Sequence, residues 1–129
     1  MAPEVGEERS EDFVVAGDLL TDVGGTIGTS VLSTPAMIGM MEHCSSALAY
    51  EQLPEGSATV GFEVCVKHVA AAFEGSTCKV HSKLREVVDD RKLRFDVEVV
   101  HLDPDSPDAP RTIGVGTHER RIIPTTHHT

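Results

Sequence analysis

The hydrophobic period of this 129-residue chain changes once, near Gly56, from the spacing of a helix to that of strands. Before the change, apolar residues in the segment 34–50 recur every three or four positions, which predicts one amphipathic helix. Thr34 can cap this helix, and Pro35 suits its first turn. The Met-rich face that the helix must bury consists of Met37, Met41, Cys44 and Leu48.

After Gly56, apolar and polar residues alternate, as they do in strands with one buried face. The first alternating segment predicts a single face that carries Val60, Phe62, Val64, Val66 and His68. Asp89 and Asp90 separate two later segments and predict a hairpin turn. The predicted strands cover 11–16, 59–68, 78–84, 93–99 and 111–123, whereas 17–33 and the Pro- and Asp-rich 103–110 are predicted loops.

One helix followed by a meander of long strands predicts an α+β domain. An antiparallel sheet can wrap around the helix and cover its apolar face. A chain of this length is expected to form one domain with a core of its own, spanning 1–129. The terminal segments 1–10 and 124–129 are expected to be flexible.

Charge and hydropathy exclude several classes of partner. The formal net charge of -10 argues against nonspecific binding to the phosphates of nucleic acid. No run approaches the ~20 apolar residues of a membrane-spanning helix, and the acidic N-terminus lacks the pattern of a secretory signal. We therefore expect a cytoplasmic protein without nucleic-acid or membrane partners. The three cysteines form no Cys-x-x-Cys unit, so neither a structural zinc site nor a redox motif is expected, and no metal ligands are predicted.

Two polar side chains lie at breaks in the apolar pattern. Glu42 lies off the Met-rich face of the predicted helix, on a flank of small side chains. His68 ends the apolar face of a predicted strand. Taken from the pattern alone, Glu42 is a solvated, an interfacial or a catalytic carboxylate. His68 is a hydrogen-bonded core residue, a ligand contact or an acid-base group.

Four segments together resemble the hot-dog-fold acyl-CoA thioesterases, and within them the fluoroacetyl-CoA thioesterase family. They are 34–44 (TPAMIGMMEHC), 55–57 (EGS), 61–71 (GFEVCVKHVAA) and 116–120 (GTHER). The resemblance implies a hot-dog fold, in which a five-stranded antiparallel sheet wraps around one long helix. It also implies homodimers that pair edge to edge and place the active sites at the subunit interface.

The resemblance further implies an activity, the hydrolysis of a small acyl-CoA thioester to the free acid and CoA. At the matching positions it implies catalytic roles for Thr34, Glu42 and His68, with Glu42 as the nucleophile or the general base. It implies substrate-binding or CoA-binding roles for Gly61 and Arg120. No cofactor is required for this chemistry.

One segment departs from the family pattern. Family members carry bulky aromatic residues over the acyl group, whereas 22–33 (DVGGTIGTSVLS) contains no aromatic residue. The sequence therefore does not identify the acyl group of the substrate, and it leaves open whether fluoroacetyl-CoA is a substrate. Two alternatives also stay open: an acyl-CoA-binding module, which would not need Glu42 and His68, and an enoyl-CoA hydratase-like enzyme, whose Asp–His pair has no match here.

Overall fold

A computed structural model describes residues 3–102 and 110–125 of the chain. Seven strands and one α-helix lie within these residues. In chain order they are β1 (Glu8–Val14), β2 (Leu20–Thr21), β3 (Val31–Leu32), α1 (Thr34–Tyr50), β4 (Ser57–His68), β5 (Thr77–Val88), β6 (Lys92–His101) and β7 (Arg111–Pro124). No helix in these ranges has the length and apolar character needed to cross a membrane.

The five long strands form one antiparallel sheet in the order β1-β5-β6-β7-β4. Helix α1 packs against one face of this sheet, and its Met-rich face is buried there as predicted. Sheet residues complete the same core, among them Val80, Leu84, Phe95, Val97 and Ile113. The α+β architecture predicted from the sequence, a five-stranded sheet around one helix, is confirmed.

Helix α1 begins and ends where the sequence predicted, but its cap is a different residue. Ser33 has extended backbone angles, and its hydroxyl accepts a hydrogen bond of 3.1 Å from the Ala36 N–H. This is the usual geometry of an N-cap. Thr34, which the sequence suggested as the cap, is instead the first helical residue, and its hydroxyl remains available for another partner.

Strand β4 does not have the single apolar face that its sequence predicted. A bulge lies between Gly61 and Glu63, where the register with β7 shifts by one residue. An extra residue reverses the side-chain alternation, so the faces before and after Phe62 do not continue each other. Phe62 and Val60 are consequently exposed, and the Phe62 ring lies 3.5 Å from the guanidinium carbon of Arg121.

The segment 17–33, predicted as a loop, contains short regular elements. It holds a 3-10 turn at Gly17–Leu19, and the two-residue strands β2 and β3 pair with each other. At the other end of the sheet, Asp89 and Asp90 both have positive φ angles, 56° and 53°, as the predicted tight hairpin turn requires.

The predicted flexible N-terminus is partly wrong, because Glu8, Arg9 and Ser10 pair with β5 as the start of β1. Their backbone groups thereby gain partners that a free terminus lacks. The predicted loop 103–110 and the predicted flexible end 124–129 fall largely outside the described residues.

Close approach of helix and sheet depends on Gly114 in β7. A Cβ atom at this position would overlap the Met37 sulfur and would lie 2.8 Å from its terminal methyl carbon. A larger residue at this position would therefore require the buried Met37 side chain to move. Gly114 therefore leaves room for the Met37 side chain between α1 and the sheet.

Candidate active site

The first part of the candidate site joins the start of α1 to the end of β4. The Thr34 hydroxyl lies 2.8 Å from Nδ1 of His68, within hydrogen-bond distance. Because Ser33 provides the helix cap, Thr34 is free to make this contact. The structure therefore brings together two of the three residues for which the sequence predicted catalytic roles.

His68 has one nitrogen without a partner. Its Nε2 atom is buried and makes no hydrogen bond to any residue in the described ranges. Burial lowers the pKa of the His68 imidazole from its ordinary value. The ring is therefore neutral near pH 7, and Nε2 is the nitrogen left for a substrate or another protein group.

A cavity of about 320 Å³ borders the Thr34–His68 pair. Among its described lining residues, none has a charged side chain when His68 is neutral. Most of the lining is aliphatic and comes from β3, the turn before it and the chain just after β4: Val23, Val31, Leu32, Val69, Ala70 and Ala71. Such a lining suits an uncharged apolar group.

The second part of the candidate site lies further along α1. The Glu42 carboxylate covers Gly61 in β4, because a Cβ atom at Gly61 would lie only 2.9 Å from Oε2 of Glu42. The side chain is half-buried and has no hydrogen bond or ion pair with any residue in the described ranges. The absence of a side chain at Gly61 therefore leaves the space that the Glu42 carboxylate occupies.

Arg120 also borders Gly61, but from the interior of the protein. Its Nη1 atom would lie 3.5 Å from a Cβ at Gly61. The Arg120 residue is only 7% exposed, and its guanidinium donates from Nε to the Thr59 hydroxyl at 2.7 Å and from Nη2 to the Thr59 carbonyl at 3.0 Å. Burial lowers the pKa of Arg120, whereas the nearby charge of Glu42 raises it.

His118 is a member of this cluster that our reading of the sequence did not select. Its Nε2 lies 3.2 Å from Nη1 of Arg120, and its Nδ1 lies 2.8 Å from the Glu63 carbonyl oxygen. Burial lowers the pKa of His118, and the charge of Arg120 lowers it further. The spacing gave a usable signal, because residues two apart in a strand share a face, which places His118 beside Arg120.

The structure thus divides the predicted residues into two groups. Thr34 and His68 form one, and Glu42, Gly61 and Arg120 form the other, and no hydrogen bond within the described residues joins them. Thr34 and Glu42 are eight residues apart on one helix, roughly 12 Å at 1.5 Å per residue. The catalytic and binding roles of all five residues remain predictions.

Comparison with known proteins assigns the chain to a family. Residues 14–126 match the family described as fluoroacetyl-CoA-specific thioesterase. The curated fluoroacetyl-CoA thioesterase of Streptantibioticus cattleyicolor is 37% identical over 94 residues, which cover 72% of this chain and 61% of that protein. The chain thus matches less than two thirds of the length of this relative.

Solved structures give the same result. A structure of the fluoroacetyl-CoA thioesterase, 30% identical in sequence, superposes with a TM-score of 0.77 over 95% of this chain and 89% of its own. A hot-dog-like protein from Thermanaerovibrio acidaminovorans, 19% identical, superposes with a TM-score of 0.82 over 95% and 85%, which shows the hot-dog fold. The match over most of the chain, together with this fold, shows that the protein belongs to the fluoroacetyl-CoA-specific thioesterase family.

Proposed function

We propose that the protein hydrolyses a small acyl-CoA thioester to the free acid and CoA. The observation that carries the proposal is the Glu42 carboxylate, which lies over Gly61 with no protein partner in the described residues. A half-buried carboxylate without a hydrogen bond is available to attack a carbonyl carbon or to deprotonate water. Membership of a thioesterase family supports the same chemistry.

Two routes use the same residues. As a general base, Glu42 removes a proton from water while the water oxygen attacks the thioester carbonyl, and CoA leaves as its thiolate. As a nucleophile, Glu42 forms a mixed anhydride and expels the thiolate, and water then cleaves the anhydride. In either route His68 supplies or orients a proton through Nε2, and Thr34 holds the imidazole through Nδ1. Gly61 leaves room for the thioester to approach backbone N–H groups of β4, which would stabilise the oxyanion.

The complete site requires a second copy of the chain in this proposal. Strand β4 lies at one edge of the sheet, and its Val60, Phe62 and Val64 side chains are exposed. An antiparallel pair of β4 strands related by a twofold axis near the middle of the strand would bring Gly61 of one chain towards the partner's His68. Glu42 would then lie beside the Thr34–His68 pair of the partner subunit. Within one chain, the roughly 12 Å between Thr34 and Glu42 along α1 prevents this contact. The homodimer also pairs the open edge of the sheet.

The cavity next to Thr34 and His68 supports an uncharged acyl group. Its aliphatic lining offers no partner for a second carboxylate, so acyl groups such as succinyl or malonyl would lose hydration without gaining an ion pair. Variants of the related fluoroacetyl-CoA thioesterase have been solved with acetyl-CoA and with fluoroacetate and CoA. We therefore expect acetyl, fluoroacetyl or slightly larger aliphatic acyl groups. A cytoplasmic location remains part of the proposal.

Release of free thiol from a panel of acyl-CoA esters tests the proposal. The panel contains acetyl, fluoroacetyl, butyryl, isobutyryl, benzoyl and succinyl esters, and it is run with the wild type, Glu42→Gln and Glu7→Gln. Glu7→Gln is the control, because this carboxylate is exposed and remote from the site. We expect Glu42→Gln to lower kcat by about 10²- to 10⁴-fold on the preferred ester, which is the usual contribution of a positioned acid-base group.

Other results would assign a different function. Tight binding of acyl-CoA esters without thiol release would make the protein a binding module. Hydration of crotonyl-CoA without thiol release would make it an enoyl-CoA hydratase-like enzyme. Equal turnover in the wild type and Glu42→Gln would remove the assigned role of Glu42 while leaving the family membership intact.

A further inference from the structure

Three side chains converge on the space above Gly61. A Cβ atom there would lie 2.9 Å from Oε2 of Glu42, 3.5 Å from Nη1 of Arg120 and 3.7 Å from Cε1 of His118. Glu42 comes from the helix, whereas Arg120 and His118 come from β7. The guanidinium and the imidazole therefore form a wall beside the proposed catalytic carboxylate.

The hydrogen bonds of this wall fix the tautomer of His118. A guanidinium can only donate, so Nη1 of Arg120 must donate to Nε2 of His118 at 3.2 Å. Nε2 then carries no proton, and the neutral ring holds its proton on Nδ1. From there it donates to the Glu63 carbonyl oxygen at 2.8 Å. The ring is also stacked against buried Phe95, with centroids 6.3 Å apart, so it has a defined orientation.

The guanidinium is held on both sides. Thr59 accepts from Nε and Nη2, and His118 accepts from Nη1, so each of the three nitrogens already donates to a protein acceptor. Two N–H groups remain, one on Nη1 and one on Nη2, but they belong to a residue that is only 7% exposed, so a CoA phosphate would have little access to them. The arrangement suits a fixed positive charge next to Glu42 better than a flexible phosphate ligand.

We propose that His118 is a positioning residue for this site, which, together with Thr59, holds the Arg120 guanidinium beside the Glu42 carboxylate. The inference rests on the proposed thioesterase function. Arg120 then acts on the charge and orientation of Glu42, and so on turnover, rather than on the affinity for CoA. Groups that orient metal-binding side chains contribute about 10- to 100-fold to activity, and we expect an effect of the same order here.

Two pairs of variants separate positioning from simple destabilisation. In His118→Gln the amide oxygen can replace Nε2 as the acceptor for Arg120. In His118→Asn the shorter amide reaches only the position of Nδ1, so Arg120 loses its acceptor. Thr59→Ser keeps the hydroxyl that accepts from Nε of Arg120, whereas Thr59→Val removes it with little change of shape.

Steady-state kinetics on the preferred ester give the expected pattern. We expect His118→Asn and Thr59→Val each to lower kcat about 10- to 100-fold with KM within about twofold of the wild type. His118→Gln and Thr59→Ser should retain more of kcat than their counterparts. A raised KM with kcat retained would assign Arg120 to CoA binding, and unchanged kinetics in both defective variants would also overturn the proposal. If His118→Asn does not fold, Thr59→Val and Thr59→Ser still decide whether the placement of Arg120 affects kcat or KM.

A second readout does not depend on activity. Nitrogen–proton NMR of the imidazoles reports the tautomer of His118 in the wild-type protein, and the spectrum of His118→Gln assigns its signal. We expect a neutral ring with its proton on Nδ1 at pH 7. A proton on Nε2 would refute the inference even in an active enzyme. If no ester is cleaved while the Nδ1 tautomer is present, the proposed function fails and the structural basis of this inference stands.

Discussion

Replacement of Gly61 by alanine should reduce turnover without unfolding the protein. The new methyl carbon would lie 2.9 Å from Oε2 of Glu42, whereas ordinary van der Waals contact begins near 3.4 Å. The carboxylate must therefore move by about 0.5 Å. Since a misplacement of 1 Å can lower a rate about 100-fold, we expect Gly61→Ala to lower kcat by about 10-fold.

The stability of the same variant should change little. The atom that must move is the end of a flexible side chain rather than backbone. In addition, alanine loses less conformational entropy on folding than glycine, which offsets part of any strain, by about 0.5–1 kcal/mol in a strand. The free energy of unfolding, measured in urea, should therefore stay within about 1 kcal/mol of the wild-type value.

A control on the same strand distinguishes displacement of Glu42 from general disturbance of β4. Ala58 lies three residues before Gly61, on the opposite face, where it pairs with Ile123 of β7. Ala58→Val adds bulk to β4 away from the carboxylate and should leave kcat unchanged in the thiol-release assay. Wild-type turnover in Gly61→Ala would refute the reasoning, and so would an equal loss of turnover in Ala58→Val.

Three further predictions concern stability in urea. Gly114→Ala should lower the free energy of unfolding by about 1–3 kcal/mol, because its Cβ would overlap the Met37 sulfur; a change below about 0.5 kcal/mol would contradict this. Asp90→Gly should raise it by about 0.5 kcal/mol, since glycine adopts the positive φ of 53° without strain, and a decrease would count against the turn geometry. Burial lowers the pKa values of His68 and His118 in the folded protein, so below about pH 6.5 the unfolded chain binds protons more readily than the folded chain, and the free energy of unfolding decreases. His118→Gln lacks one of these two groups. Its free energy of unfolding should therefore decrease less between pH 7.5 and 5.5 than that of the wild type.

Much of the fold followed from hydrophobic spacing. The Met-rich face of α1, its bounds at 34 and 50, and the turn at Asp89 and Asp90 each depend on local patterns that the structure retains. The bulge at Phe62 could not be predicted in this way, because nothing in the alternation of β4 marks the position where the register with β7 shifts. The short strands in 17–33 depend on pairing between residues about ten positions apart, which composition does not reveal.

The candidate site was predictable to a different degree. Glu42 and His68 interrupt apolar patterns and so attract attention in the sequence alone, and the resemblance to thioesterases added Thr34, Gly61 and Arg120. No pattern indicated that Thr34 would contact His68 rather than cap the helix. That contact depends on Ser33 as the cap and on the position at which β4 ends, both of which are properties of the folded chain.

Several departures from the regular pattern lie on β4 and β7, the two strands that carry most of the candidate site. Strands β4 and β7 contain the bulge at Phe62, the buried Arg120 and His118, and a close approach at Gly61. These departures cost free energy, because a buried guanidinium loses its hydration and a bulge interrupts the hydrogen-bond ladder between two strands. Compensation comes from hydrogen bonds within the same group, to Thr59 and to the Glu63 carbonyl oxygen. Local departures from regular packing are expected at functional sites, and this polar cluster borders the carboxylate of Glu42.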